Sequence, residues 1–141
     1  MSVRYTAIIT AAAFVLHLVW ENAQAPLYAG YQSFSAHFPL CLMGAAGDVA
    51  VTLFVLAFML LLKREIPQTA RDFIALAVIG FGIAVLIEQR ALLSGAWGYA
   101  PAMPLLPILQ VGLTPILQMT ILLPLSFYLA AYMNQSDKKF S

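Results

Sequence analysis

Charge is what this chain has least of. Only 9% of its 141 residues are charged, against about 25% in ordinary globular domains. Seven Lys and Arg balance six Asp and Glu, leaving a net charge of +1 and no basic patch, so a nucleic-acid partner is not expected. Cysteine is nearly absent as well. Cys41 is alone, so no internal disulfide can form, and it reads as a small core residue. There is no glycine-rich phosphate loop, no zinc-finger spacing, no serine triad and no internal repeat. What the chain has is apolar sequence: 62% of its residues are hydrophobic. That is enough for one domain with about four spans of roughly 20 residues each.

The pattern predicts an all-α polytopic membrane protein, a four-helix bundle with spans over about 5–24, 40–62, 72–93 and 108–132 and a short polar tail over 133–141. Pro26 and the stretch from Tyr28 to Tyr31 end the first span. Lys63-Arg64-Glu65 marks the water boundary of the second. Asp72 suits the N-terminus of the third by its charge, and Ser94-Gly95 breaks it. A loop rich in Trp, Tyr and Pro follows, up to Pro107. The fourth span contains Pro115 and Pro124, which predict a kinked or broken helix whose freed carbonyls face protein or water. Ala23-Gln24-Ala25 resembles a signal-peptide cleavage site, but Pro26 would follow the cut, so the segment is read as a retained span.

Arg4, Lys63, Arg64, Arg71, Lys138 and Lys139 fall on one side of this arrangement and Arg90 on the other. The positive-inside rule then places both termini in the cytoplasm, with a bacterial inner membrane as the expected location. Trp20, Tyr28, Tyr31, Trp97 and Tyr99 form an aromatic belt at the outer interface. His37 lies in the outer loop, facing solvent.

Within the apolar stretches stand Glu21, Asp48 and Glu88. An ionisable group at the centre of a bilayer costs on the order of 2.5–3.5 kcal/mol even by the gentler scales, so it marks a function or a partner. Helical spacing puts His17, Glu21 and Gln24 on one face of the first span. Gly44, Asp48 and Thr52 form a second stripe, and Gln110, Thr114 and Gln118 a third. At about 1.5 Å per residue all of these lie at similar depth in the outer half, and Glu88 joins them from the third span. One buried polar site is therefore expected, capped by the loop from Trp97 to Pro107.

A carboxyl in an apolar pocket can stay protonated near neutral pH and give its proton to an alkene. The resulting carbocation needs anionic or π-electron stabilisation. The substrate of such a site is itself a membrane lipid, with isoprenoids and sterols the obvious class. Glu88 and Glu21 are the expected acid and base of an intramembrane isomerase, cyclase or hydratase, tuned by His17 and Asp48. Trp20, Asn22, Trp97, Tyr99, Gln110 and Gln118 are the expected substrate contacts. No cofactor and no metal ligand is assigned.

The stretch from Glu88 through Gly95, Trp97, Tyr99 and Pro101, followed by Gly112-Leu113-Thr114-Pro115 and Gln118, resembles the lycopene cyclase domain family. The resemblance covers about 30 residues, a count in keeping with short-motif comparison. It implies a small helical membrane enzyme that protonates and cyclises carotenoid ends, with Glu88 as the first acid and Gln118 near the position of a paired-glutamate motif. Leu117-Gln118 stands where that family has the pair. His17-Leu-Val-Trp-Glu21 is similar to the His-x-x-x-Glu helix of emopamil-binding sterol isomerases, which share the chemistry. Two other readings stay open. One is a non-catalytic carrier of lipid, quinone or pigment, or an accessory subunit in a homo- or hetero-oligomer. The other is an intramembrane metal or proton site built from His17, Glu21, Asp48 and Glu88.

Overall fold

The structure is a computed structural model that describes residues 3–64 and 66–136. It is all-α: α1 (Val3–Gln24), α2 (Phe34–Leu61), α3 (Ala70–Ser94) and α4 (Leu113–Ser136), with one 3₁₀ turn at Ala25–Leu27. All four helices are long and apolar enough to cross a membrane. With four spans, residues 3 and 136 come to the same end, together with Arg4, Lys63, Arg64 and Arg71, and Arg90 lies toward the other end. Glu65, Lys138 and Lys139 lie outside the described residues, as does the polar tail beyond Ser136.

The helices begin and end where local chemistry permits. Ser33 caps α2 by accepting the Ala36 N–H at 3.3 Å. The helix therefore starts at Phe34 rather than near residue 40, carries Pro39 within it, and takes His37 out of the loop. Thr69 and Asp72 form a capping box for α3, which starts two residues before Asp72. Gly95 ends α3 in the left-handed conformation at φ 70°, a conformation that costs glycine nothing. The fourth helix starts at Leu113, not near 108. Pro115 sits in its first turn, where no N–H is needed, so it breaks nothing. The helix also runs continuously through Pro124 rather than breaking there. Residues 108–112 form a turn in which Gln110 has φ 53°, and Leu105 bridges to Gly112.

The helices pack in the order α2, α1, α4, α3, and α2 and α3 meet at no more than isolated points. The fourth helix is the central one: half of its apolar window is buried, against 17–22% in the other three. It approaches α3 so closely that a Cβ on Gly80 would lie 2.5 Å from the Met119 carbonyl oxygen. Such small-residue contacts replace the hydrophobic drive that lipid removes. Tyr5, Ile9, Val55, Leu76, Leu123 and Phe127 fill the core toward the end that carries the termini. The polar groups collect toward the opposite end.

Candidate functional site

The organising residue is Gln118 of α4, 3% exposed. Its Nε2 donates to Glu21 Oε1 at 2.9 Å and to Asp48 Oδ2 at 2.8 Å, and lies 3.1 Å from His17 Nδ1. One amide on α4 thus joins α1 to α2. The stripes predicted on α1 and α2 do meet, because a period of 3.6 residues stacks His17, Glu21 and Gln24 on the face turned toward Asp48.

The direction of every hydrogen bond follows from one fixed donor. The Trp20 indole can only donate, and it gives its N–H to Gln24 Oε1 at 3.2 Å. That turns Gln24 Nε2 toward Gln118 Oε1, at 2.7 Å, and toward Glu21 Oε1, at 3.3 Å. With its oxygen so occupied, Gln118 must present its NH₂ to the carboxylates. His17 Nδ1 lies 3.0 Å from Asp48 Oδ2. Two bare acceptors do not approach so closely, so a proton lies between them. Both N–H groups of Gln118 are engaged by the carboxylates, so that proton is shared between His17 Nδ1 and Asp48 Oδ2. His17 Nε2 is buried and has no hydrogen-bond partner among the described residues.

Glu88 is held separately, from the aromatic loop. Its Oε2 accepts the Trp97 indole N–H at 3.2 Å and the Tyr99 hydroxyl. The Tyr99 oxygen in turn accepts the Gly112 N–H at 2.8 Å, which fixes its own hydrogen on Glu88. A Cβ at Gly112 would meet the Tyr99 ring at 3.1 Å, so glycine lets the ring lie this close to the backbone. Burial, with Glu88 beside it, pushes the Tyr99 phenol above its ordinary range. Tyr28 is pushed up in the same direction, by burial first and then by the nearby Glu88 carboxyl. Tyr28 packs edge-on to Trp97 and tilted against Tyr99, with ring centroids 6.5 and 5.8 Å away. Backbone bonds from Ala29 to Gly98 and from Ala100 to Leu27, both 2.9 Å, tie the two loops into one cap.

Under this cap lies a cavity of about 640 Å³. Glu21, Asp48 and Glu88 all line it, with Gln118, Tyr28 and Trp97. Among the described residues, each of the three acids has one oxygen bonded to the protein and its other oxygen without a side-chain partner. Glu21 lies flat against α2 because Gly44 has no side chain there: a Cβ would sit 3.1 Å from its Cδ. A second groove, of about 790 Å³, runs between Val3–Phe14 and Ala46–Val49, and its lining holds no titratable side chain.

Several expected site residues fall elsewhere. Gln110 is exposed outside any helix and donates to the Pro107 carbonyl oxygen, so the stripe predicted through Thr114 to Gln118 loses its first member. Its helical spacing meant nothing once α4 began three residues later. Asn22 donates to the Leu18 carbonyl at 2.7 Å and does not line the cavity. Trp20 orients the amides but does not line the cavity either. Conversely, His37 lines it, its ring tilted against Tyr31 with centroids 5.3 Å apart, where solvent was expected. Gln24 and Tyr28 were not expected as site residues. Gln24 was legible as the third member of the His17–Glu21 stripe, whereas only the pairing of two loops brings Tyr28 in. Among the described residues no three His, Cys, Asp or Glu side chains are placed to hold one metal ion, so the metal reading has no geometric support. Comparison of the chain with protein-family profiles, curated proteins and solved structures found no match.

Proposed function

We propose that this protein is an intramembrane acid–base catalyst that isomerises or cyclises an isoprenoid-like lipid without change of redox state, as the resemblance to the lycopene cyclase domain family implies. The observation that carries this reading is the set of three carboxyls on one membrane-embedded cavity, each with one oxygen anchored and the other left for a ligand. Glu88 and Glu21 approach the cavity from α3 and α1, the arrangement needed to deliver a proton at one carbon and remove one at another. A C–H bond forms at the first carbon, and the cation moves or closes a ring. A C–H bond then breaks at the second carbon, so the proton count balances. Asp48 and the Tyr28 and Trp97 rings supply the negative charge and π-faces that a carbocation needs. In this reading both termini are cytoplasmic, the membrane is a bacterial inner membrane, and the cap faces outward.

Carriage of a lipid or pigment without chemistry is the second reading. It is favoured by the two donors that tie Glu88 Oε2 to the loop, a tie that a purely structural residue would also make. Expression of the wild type and of Glu88→Gln in cells supplied with a panel of isoprenoid precursors separates the two. Catalysis gives a new isomer of unchanged mass that Glu88→Gln abolishes. Carriage gives a copurifying lipid, chemically unaltered, that survives the substitution. An unaltered lipid profile with no bound lipid removes both.

A further inference from the structure

The cavity has a side opening. Neighbouring helices close three of its sides, because α2 packs on α1, α1 on α4 and α4 on α3. The fourth side, between α2 and α3, is left as a cleft. Apart from Ala29, Ala96 and Trp97 of the capping loops, the exposed residues that line the cavity are found there. On α2, Leu40 is 57% and Met43 71% exposed, and on α3 Ile87 is 37% exposed. All three are apolar, as a lipid-facing rim requires. Gly47 of α2 lies between them and Asp48, lines the cavity and is exposed, and a Cβ added there would meet nothing within 4 Å.

We infer that the α2–α3 cleft is a lateral portal through which one end of a long-chain lipid enters directly from the bilayer, while the rest of its chain stays among the surrounding acyl chains. The inference rests on the lipid reading given above and adds to it the route and the class of substrate. A cavity of about 640 Å³ belongs to the size range of sites for drug-sized molecules, roughly 300–1,000 Å³. It suits a ring-sized terminus and not a whole carotenoid-length chain. A substrate whose reacting group is at its hydrocarbon end can present that end to Glu21 and Glu88 without leaving the membrane. A water-borne molecule would instead have to pass the cap, where Tyr28 packs against Trp97 and Tyr99 and backbone bonds tie the two loops together.

Gly47 offers a direct test. Gly47→Leu places a branched side chain in open space inside the cleft and also raises helix propensity, so the variant folds. Gly82 of α3 is the control: a Cβ there likewise meets nothing within 4 Å, but the residue does not line the cavity. The probe is geranylgeraniol carrying a diazirine at its hydrocarbon end, dissolved in phosphatidylcholine nanodiscs that hold the full chain. After photolysis, peptide mass spectrometry locates the adducts. The wild type and Gly82→Leu should carry adducts on Glu21, Cys41–Asp48 and Glu88. Gly47→Leu should lose those adducts several-fold, and Gly47→Ala, too short to fill the cleft, should keep them. Equal cavity labelling in Gly47→Leu and Gly82→Leu overturns the portal, as does labelling confined to the lipid-facing surface. Cavity labelling without any product in the expression experiment leaves the portal and removes the chemistry. Product formation unchanged by Gly47→Leu does the reverse.

Discussion

Replacing Gln118 by Leu removes an α4 side chain that hydrogen-bonds to α1 and α2 groups together. Three groups lose a partner: the Gln24 amide, the Glu21 carboxyl and the Asp48 carboxyl. A buried polar group left unpaired costs about 1–3 kcal/mol in water-soluble proteins. Hydrogen bonds between membrane helices average nearer 0.6 kcal/mol, because the unfolded chain in the bilayer also finds partners. Both carboxyls keep some contact with the cavity, and the Gln24 amide keeps its longer bond to Glu21. The loss for Gln118→Leu is therefore about 2–5 kcal/mol, the lower half of the roughly 2–9 kcal/mol that three such groups span. Gln24→Leu should cost less, because it frees the Trp20 indole N–H and the Gln118 oxygen and takes from Glu21 only its longer bond. The double variant is the sharper measure. Removing both ends of the 2.7 Å amide–amide bond leaves neither end orphaned, so the double variant should cost about 1 kcal/mol less than the two single variants together. The assay is reversible unfolding in mixed micelles, followed by helical circular dichroism. Additivity within about 0.3–0.5 kcal/mol, or a Gln118→Leu protein as stable as the wild type, would refute the network as drawn.

Three glycines should respond to alanine in three ways, read by melting temperature. Gly80→Ala drives a methyl into the Met119 backbone carbonyl and should destabilise by about 1–3 kcal/mol. Gly44→Ala presses only on the flexible Glu21 carboxyl, and the gain in helix propensity of about 1 kcal/mol should leave it near neutral. Gly82→Ala meets open space and should stabilise by up to about 1 kcal/mol. The tyrosines set an alkaline limit. Folding raises the Tyr28 and Tyr99 phenols above the unfolded value of about 10. The folded state thus holds protons that the unfolded chain releases, and stability is full below pH of about 10 and falls as pH rises beyond it. Denaturation scanned from neutral to strongly alkaline pH checks this. Tyr99→Phe should soften the decline, and a midpoint that stayed flat would contradict it. Cys41 is 3% exposed and lines the cavity. A charged, water-soluble thiol reagent should leave it unmodified in the folded protein and modify it fully in detergent-denatured chain.

The sequence made the bundle legible because long apolar runs and a strongly one-sided Lys and Arg distribution leave few alternatives. The convergence of His17, Glu21, Asp48 and Gln118 was legible too. Each lies on a helix whose period fixes its face, and an acid in an apolar run must find partners. Boundaries were less legible. Hydropathy placed the start of α2 near Leu40 and left His37 in a loop. In the structure the Ser33 cap lets the helix begin six residues earlier and carries His37 to the cavity. At α4 the opposite error arose. Ile108 to Val111 are apolar enough to be taken as helix, but Gln110 turns left-handed and its side chain bonds back to Pro107. The cap was legible only as composition. That Tyr28 would pair with Tyr99 is a long-range contact between loops, which no local periodicity encodes.

The central claim is that Glu88 and the Glu21 cluster move a proton on a lipid held in one cavity. Purified protein in nanodiscs prepared in D₂O, loaded with a linear polyene, tests it most directly by mass spectrometry of the recovered lipid. The account predicts an isomeric or cyclised product carrying one deuterium at the protonated carbon, absent with Glu88→Gln. Recovery of the polyene unaltered and free of deuterium, from wild-type protein shown to bind it, would contradict the account and leave a lipid carrier.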